Sequence, residues 1–78
     1  MGRSYTDPTV QHNAIVDGWI ITRIDEPDDE YAHNTWIGDH GIFREVVFDA
    51  RIFPSKEYAE YWLDGWMKGR ESVSVFYT

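Results

Sequence analysis

The 78-residue sequence contains no cysteine, which excludes a disulfide framework and a thiolate metal site as supports for its fold. It also lacks any apolar run near the ~20 residues of a membrane span, and no secretory leader pattern opens it. A chain of this length has room for one core and buries only roughly 60% of its unfolded surface. We therefore expect one soluble, cytoplasmic domain that is held together by hydrophobic burial.

Basic residues are also scarce. Seven Lys and Arg stand against 14 Asp and Glu, which gives a formal net charge of −7. Direct binding to nucleic acid is disfavoured, because phosphate contacts need Lys and Arg. The composition instead favours a protein partner with a basic surface, although the charge could equally serve only to keep a small protein in solution.

No arrangement of residues predicts catalysis, a metal or a cofactor. The three histidines (His12, His33 and His40) lack helical ligand spacing, the serines lack a nucleophile motif, and no glycine-rich phosphate loop is present. Asp39 beside His40 could form an acid/base pair, but Gly-Asp-His-Gly is first of all a turn sequence. We expect a protein that is not an enzyme and needs neither cofactor nor metal.

The chain divides into a predicted flexible N-terminal arm, residues 1–13, and one α+β domain, residues 14–78. Runs of β-branched and aromatic residues predict strands over residues 14–25, 31–37, 42–53 and 73–77. Along the third run, one alternating set is the more apolar and is predicted to face the helix: Ile42, Arg44, Val46, Phe48, Ala50 and Ile52.

One amphipathic helix is predicted between the third and fourth strands. Ser55 can cap its N-terminus and Gly69 is a natural stop. Its apolar face is Tyr58, Ala59, Trp62, Leu63, Trp66 and Met67. Gly65 lies inside the helix, where we expect it to permit close packing. The predicted fold is therefore an antiparallel-rich four-stranded sheet with the helix on one face, in the order β-β-β-α-β.

An acidic run predicts a hairpin tip that could bind a basic partner. Its carboxylates surround Pro27 and are Asp25, Glu26, Asp28, Asp29 and Glu30. The run lacks the alternating ligand positions and the glycine of a Ca²⁺ loop, so it is either a solvated turn or a surface for Lys and Arg. Trp36, in a strand, and Tyr61, on the polar side of the helix, are added as interface anchors.

The segment from Phe53 to Leu63, which reads Phe-Pro-Ser-Lys-Glu-Tyr-Ala-Glu-Tyr-Trp-Leu, follows the predicted strands. It resembles the strand-to-helix junction of small phage-encoded proteins, including anti-CRISPR and other anti-defence inhibitors. The resemblance implies a stoichiometric, non-catalytic inhibitor, acting in the host cytoplasm, that occupies a basic surface on a nucleic-acid-handling complex. The alternatives are a structural or assembly subunit and an immunity protein or antitoxin for a basic toxin. The oligomeric state is left open, a homodimer included.

Overall fold

A computed structural model describes the backbone of residues 4–77 and the side chains of residues 4–69. Within that range four strands form one antiparallel sheet, and one α-helix, α1, follows them. The strands are β1 (Thr9–Asn13), β2 (Gly18–Asp25), β3 (His33–Ile37) and β4 (Phe43–Arg44), and α1 spans Lys56–Tyr77. The predicted α+β class, with a four-stranded antiparallel sheet and one helix, is confirmed.

The sheet is a meander in which each strand pairs with its neighbours along the chain, in the order β1-β2-β3-β4. β2 lies between β1 and β3 and is the most deeply buried strand, with Ile20 and Ile21 almost inaccessible to solvent. Its register pairs Ile21 with Val10 on one side and Thr22 with Trp36 on the other. The predicted hairpin between residues 14–25 and 31–37 is therefore present as β2 and β3.

The core lies between one face of this sheet and α1. Ile21, Ile37, Phe53 and Ala59 are buried there, and the half-buried Trp62, Leu63 and Trp66 of α1 pack against them. The helix begins where the sequence predicts, because the Ser55 Oγ accepts a hydrogen bond from the Tyr58 N–H at 3.1 Å. Neither this helix nor any other part of the described chain offers a segment long and apolar enough to cross a lipid bilayer as a helix.

The predicted order of the elements is wrong, because the structure has β-β-β-β-α. Residues 73–77 belong to α1, which continues past Gly69 to Tyr77. A glycine inside a helix costs only about 1 kcal/mol relative to alanine, so it does not oblige the helix to end. Five alternating residues are also too few to distinguish a strand from the last turns of a helix.

The fourth strand comes instead from residues predicted to be a flexible arm. Thr9–Asn13 form β1 at the sheet edge, where most of its side chains are exposed and the sequence shows no apolar alternation. The chain before β1 is also attached to the sheet. The Thr6 N–H donates to the Ile24 carbonyl at 2.9 Å, and the Thr6 Oγ1 accepts from the Ile24 N–H at 2.8 Å.

The predicted third strand over residues 42–53 is also wrong, since only Phe43–Arg44 are strand and Val47–Asp49 form a 3₁₀ turn. That turn breaks the alternation on which the face assignment depended. Four large apolar residues of the set predicted to face the helix are more than half exposed: Ile42, Val46, Phe48 and Ile52. Phe43 and Phe53, from the opposite set, pack into the core instead.

Candidate protein-binding surfaces

The connection between β2 and β3 forms the acidic turn, defined here as Glu26–Glu30. Its backbone is folded on itself, because the Asp29 N–H donates to the Glu26 carbonyl at 3.0 Å and the Ala32 N–H to the Asp29 carbonyl at 3.1 Å. The Asp29 carboxylate accepts from the Tyr31 N–H at 3.1 Å. Glu26 adopts a left-handed conformation, with a φ of 55°. Side-chain and backbone hydrogen bonds of this kind are typical of Asx turns.

The acidic turn presents its charge to solvent. Asp28, Asp29 and Glu30 are exposed, Glu26 is half-buried, and the neighbouring Tyr31 ring is 70% exposed. Within residues 4–69 no ion pair joins these carboxylates to a cation. Like charges this close repel one another, and a cationic partner would relieve the repulsion.

Asp25 does not belong to this surface, so its prediction as a partner-binding residue is corrected. It is 5% exposed, and its Oδ1 accepts from the Arg23 Nε at 2.9 Å and from the Thr35 Oγ1 at 3.0 Å. In β2, residues two apart point to the same face, so Arg23 and Asp25 lie together on the face of the sheet that also carries Ile21. The Arg-x-Asp spacing inside a predicted strand was the available signal for this ion pair.

The Arg23 guanidinium lies between two aromatic rings. Its Cζ is 4.0 Å from the centre of the Tyr5 ring and 3.8 Å from that of Phe43, and its side chain is 14% exposed. Such stacking stabilises a guanidinium and holds it in one orientation. We refer to Tyr5, Arg23, Asp25, Thr35 and Phe43 as the arginine cluster, which links the residues before β1 to β2, β3 and β4.

The two predicted aromatic anchors differ in exposure. Trp36 is half-buried and, by strand alternation, lies on the sheet face opposite Ile37 and the helix. Tyr61 is 83% exposed on α1. Tyr61 is therefore available for contact with a partner, whereas Trp36 offers only part of its ring.

Around Tyr61 the helix surface forms the aromatic groove, a cleft of about 420 Å³. Its lining consists of Tyr58, Tyr61, Trp62, Gly65 and Trp66. Helical spacing brings these residues to one side, because Tyr61 and Trp62 lie one turn after Tyr58, Gly65 one turn after both, and Trp66 one turn after Trp62. The helical pattern places Tyr58, Trp62 and Trp66 on the apolar face of the helix, and Tyr58 is in fact 50% exposed.

The inner wall of the aromatic groove is fixed by the core. The Trp62 ring lies 5.6 Å from that of Phe53, and the Trp66 ring 5.8 Å from that of Phe43. The Trp66 Nε1 donates a hydrogen bond to the Gly41 carbonyl at 3.2 Å. These contacts hold both indoles in place, so the inner wall of the groove is preformed.

Gly65 forms the floor of the aromatic groove, and its predicted role in close packing is wrong. A Cβ built at this position meets no heavy atom within 4 Å. The helix-favouring alternative, alanine, would therefore fit without a clash. What the glycine leaves is open space between the rings.

A second cleft, of about 270 Å³, is lined by Asp39, His40, Arg44 and Asp49. Asp39 and His40 are both exposed there, and His40 has a φ of 67° in a tight turn. No group of three or more potential metal ligands occurs among the described residues.

The sequence matches no protein-family model, and neither a curated protein nor a solved structure matches it.

Proposed function

We propose that this chain is a small acidic binding protein that inhibits a nucleic-acid-handling protein complex in the cytoplasm by occupying a basic surface. It acts stoichiometrically, as a partial mimic of nucleic-acid charge, and has no catalytic step of its own. Its partner is a protein, and direct contact with nucleic acid or membrane is not part of the proposal.

The observation that carries this proposal is the acidic turn. Asp28, Asp29 and Glu30 are exposed on a turn whose backbone is held by hydrogen bonds. Because this backbone is already ordered, the turn loses little conformational entropy when it binds a partner. The net charge of −7 adds a long-range attraction to a basic surface. The exposed Tyr31 and Tyr61 supply rings of the kind that anchor protein interfaces.

The test begins with affinity capture from the native host and identification of the partner by mass spectrometry. Binding to the purified partner is then measured at low and high salt for the wild type and for the triple variant Asp28→Asn, Asp29→Asn, Glu30→Gln. Asn at position 29 keeps the acceptor for the Tyr31 N–H. We expect weaker binding at low salt and a smaller difference at high salt, because screening removes the same interaction from the wild type.

A charge-matched control separates the turn from the net charge. Asp7, Asp17 and Asp49 are exposed elsewhere on the surface, and their replacement by Asn also removes three negative charges. This control should bind more tightly than the turn variant. Equal affinity of the turn variant and the wild type at low salt would refute the role of the acidic turn. Inhibition should also saturate at one chain per binding site.

One observation favours a second candidate, a structural or assembly subunit. Ile42, Val46, Phe48 and Ile52 are each more than half exposed within an eleven-residue stretch. Exposed apolar residues in such number are typical of surfaces that are covered in an assembly. Sedimentation at high salt distinguishes the two candidates. A complex formed through this apolar surface should remain associated at high salt, whereas a complex held by charge should dissociate.

A further inference from the structure

We propose that the aromatic groove binds an arginine side chain of the basic partner, with the guanidinium stacked against the rings of Tyr58 and Tyr61. This inference rests on the proposed function and identifies the second contact surface and the residue type that it recognises.

The shape of the groove suits one long, flat-ended side chain. Gly65 forms its floor, the space above this residue is open, and four aromatic rings line the groove. A guanidinium is planar and weakly hydrated, and it stacks on aromatic faces, whereas the ammonium of lysine is a compact and strongly hydrated charge. The three-carbon stem of arginine is apolar and would lie along the same rings.

The charges around the groove complement a cation. Among the side chains of residues 4–69 no basic one lines it, and the electron-rich faces of its rings attract positive charge. Glu57 lies one turn before Tyr61, is exposed, and forms no ion pair within residues 4–69. Asp64 lies three residues after Tyr61 and is held by Lys68 at 3.0 Å. Glu57 is thus the carboxylate available to a guanidinium that enters beside Tyr61.

Within residues 4–69, two guanidinium groups already lie close to aromatic rings. Arg23 lies between Tyr5 and Phe43, and the Arg51 guanidinium is 5.5 Å from the centre of the Trp62 ring. Arg51 does not line the groove, so it leaves the space above Gly65 open. The tyrosine side of the groove is the part that an external arginine would occupy.

Two peptides and two variants test the inference. The probes are end-blocked hexa-arginine and hexa-lysine, which carry the same charge, and their dissociation constants are measured by NMR titration of the ¹⁵N-labelled chain at low salt. Gly65→Leu fills the groove. Gly69→Leu is the matched control, because a Cβ at position 69 also meets no heavy atom within 4 Å and Gly69 does not line the groove.

We expect the wild type and Gly69→Leu to bind hexa-arginine at least about fourfold more tightly than hexa-lysine, since each of the two stacked rings contributes roughly two- to fivefold in affinity. Gly65→Leu should lose that preference. The amide chemical shifts that change when hexa-arginine is added should no longer be concentrated in α1. Melting curves establish that both variants are folded. Gly65→Ala, with a single methyl in the groove, should lower the preference partially.

The outcomes separate this inference from the proposed function. Equal binding of the two peptides by the wild type, or a preference that survives in Gly65→Leu, would overturn the arginine groove. The acidic-turn variant should bind both peptides more weakly and keep the arginine preference. If the turn variant binds both peptides more weakly and the wild type shows no arginine preference, the arginine groove is refuted and the role of the acidic turn is supported. If the wild type prefers hexa-arginine and the turn variant binds both peptides as the wild type does, the arginine groove is supported and the role of the acidic turn is refuted.

Discussion

Replacing Asp25 by alanine should destabilise the fold far more than replacing the nearby Asp28. Asp25 is buried and accepts hydrogen bonds from Arg23 and Thr35, so its removal leaves a guanidinium that is 14% exposed without its carboxylate. Breaking a buried ion pair typically costs 3–5 kcal/mol. We expect about 3 kcal/mol, at the lower end of that range, because Arg23 keeps its aromatic contacts and some access to water.

The assay is thermal and urea denaturation, followed by far-ultraviolet circular dichroism. For a domain of this size, a loss of 1 kcal/mol lowers the melting temperature by about 4–8 °C, so Asp25→Ala should lower it by roughly 12–24 °C. The control Asp28→Ala removes the same charge from an exposed position and should change stability by less than about 0.5 kcal/mol.

A double variant tests the cause. If the unpaired guanidinium is responsible, Arg23→Met combined with Asp25→Ala should recover part of the loss, because no buried charge then remains. A loss below about 1 kcal/mol for Asp25→Ala would refute the reasoning, and so would a double variant less stable than Asp25→Ala alone.

Two further predictions concern the start of α1 and the segment before β1, and both are measured by urea denaturation midpoints. Ser55→Ala should cost about 1 kcal/mol by removing the cap from the Tyr58 N–H, and Ser55→Gly only a few tenths; equal losses would argue against the cap. Thr6→Ala should cost about 1 kcal/mol by leaving the Ile24 N–H without its side-chain acceptor. An unchanged midpoint for Thr6→Ala would show that the hydrogen bond from the Ile24 N–H to the Thr6 hydroxyl contributes nothing to stability.

Local signals in the sequence predicted the elements whose cause is local. The β2–β3 hairpin follows from a carboxylate-rich turn between two β-branched runs, and the start of α1 follows from Ser55. β1 could not be predicted in this way, because an edge strand with one apolar residue, Val10, depends on β2 for its pairing. The end of α1 could not be predicted from Gly69 either, because the cost of one glycine is small and the helix continues through it to Tyr77.

The sequence predicts the exposed charges of the candidate site but not the groove on α1. Asp28, Asp29, Glu30 and Tyr61 are exposed as their local sequence indicates. The run of carboxylates predicts Asp25 in the acidic turn, whereas strand alternation turns it inward beside Arg23. The aromatic groove does not follow from the helical pattern, which places Tyr61 on the polar side, apart from the other three rings, and predicts close packing at Gly65.

The order of the strands has a consequence for how the chain folds. Each strand of the meander pairs with the strand before it, so the sheet requires few contacts between distant residues, which favours rapid folding. α1 follows every strand, and its Ala59 and Trp62 cover Ile21 and Ile37 only after it docks. Loss of α1 would therefore expose the apolar face of the sheet, and exposed apolar surface of this kind promotes aggregation.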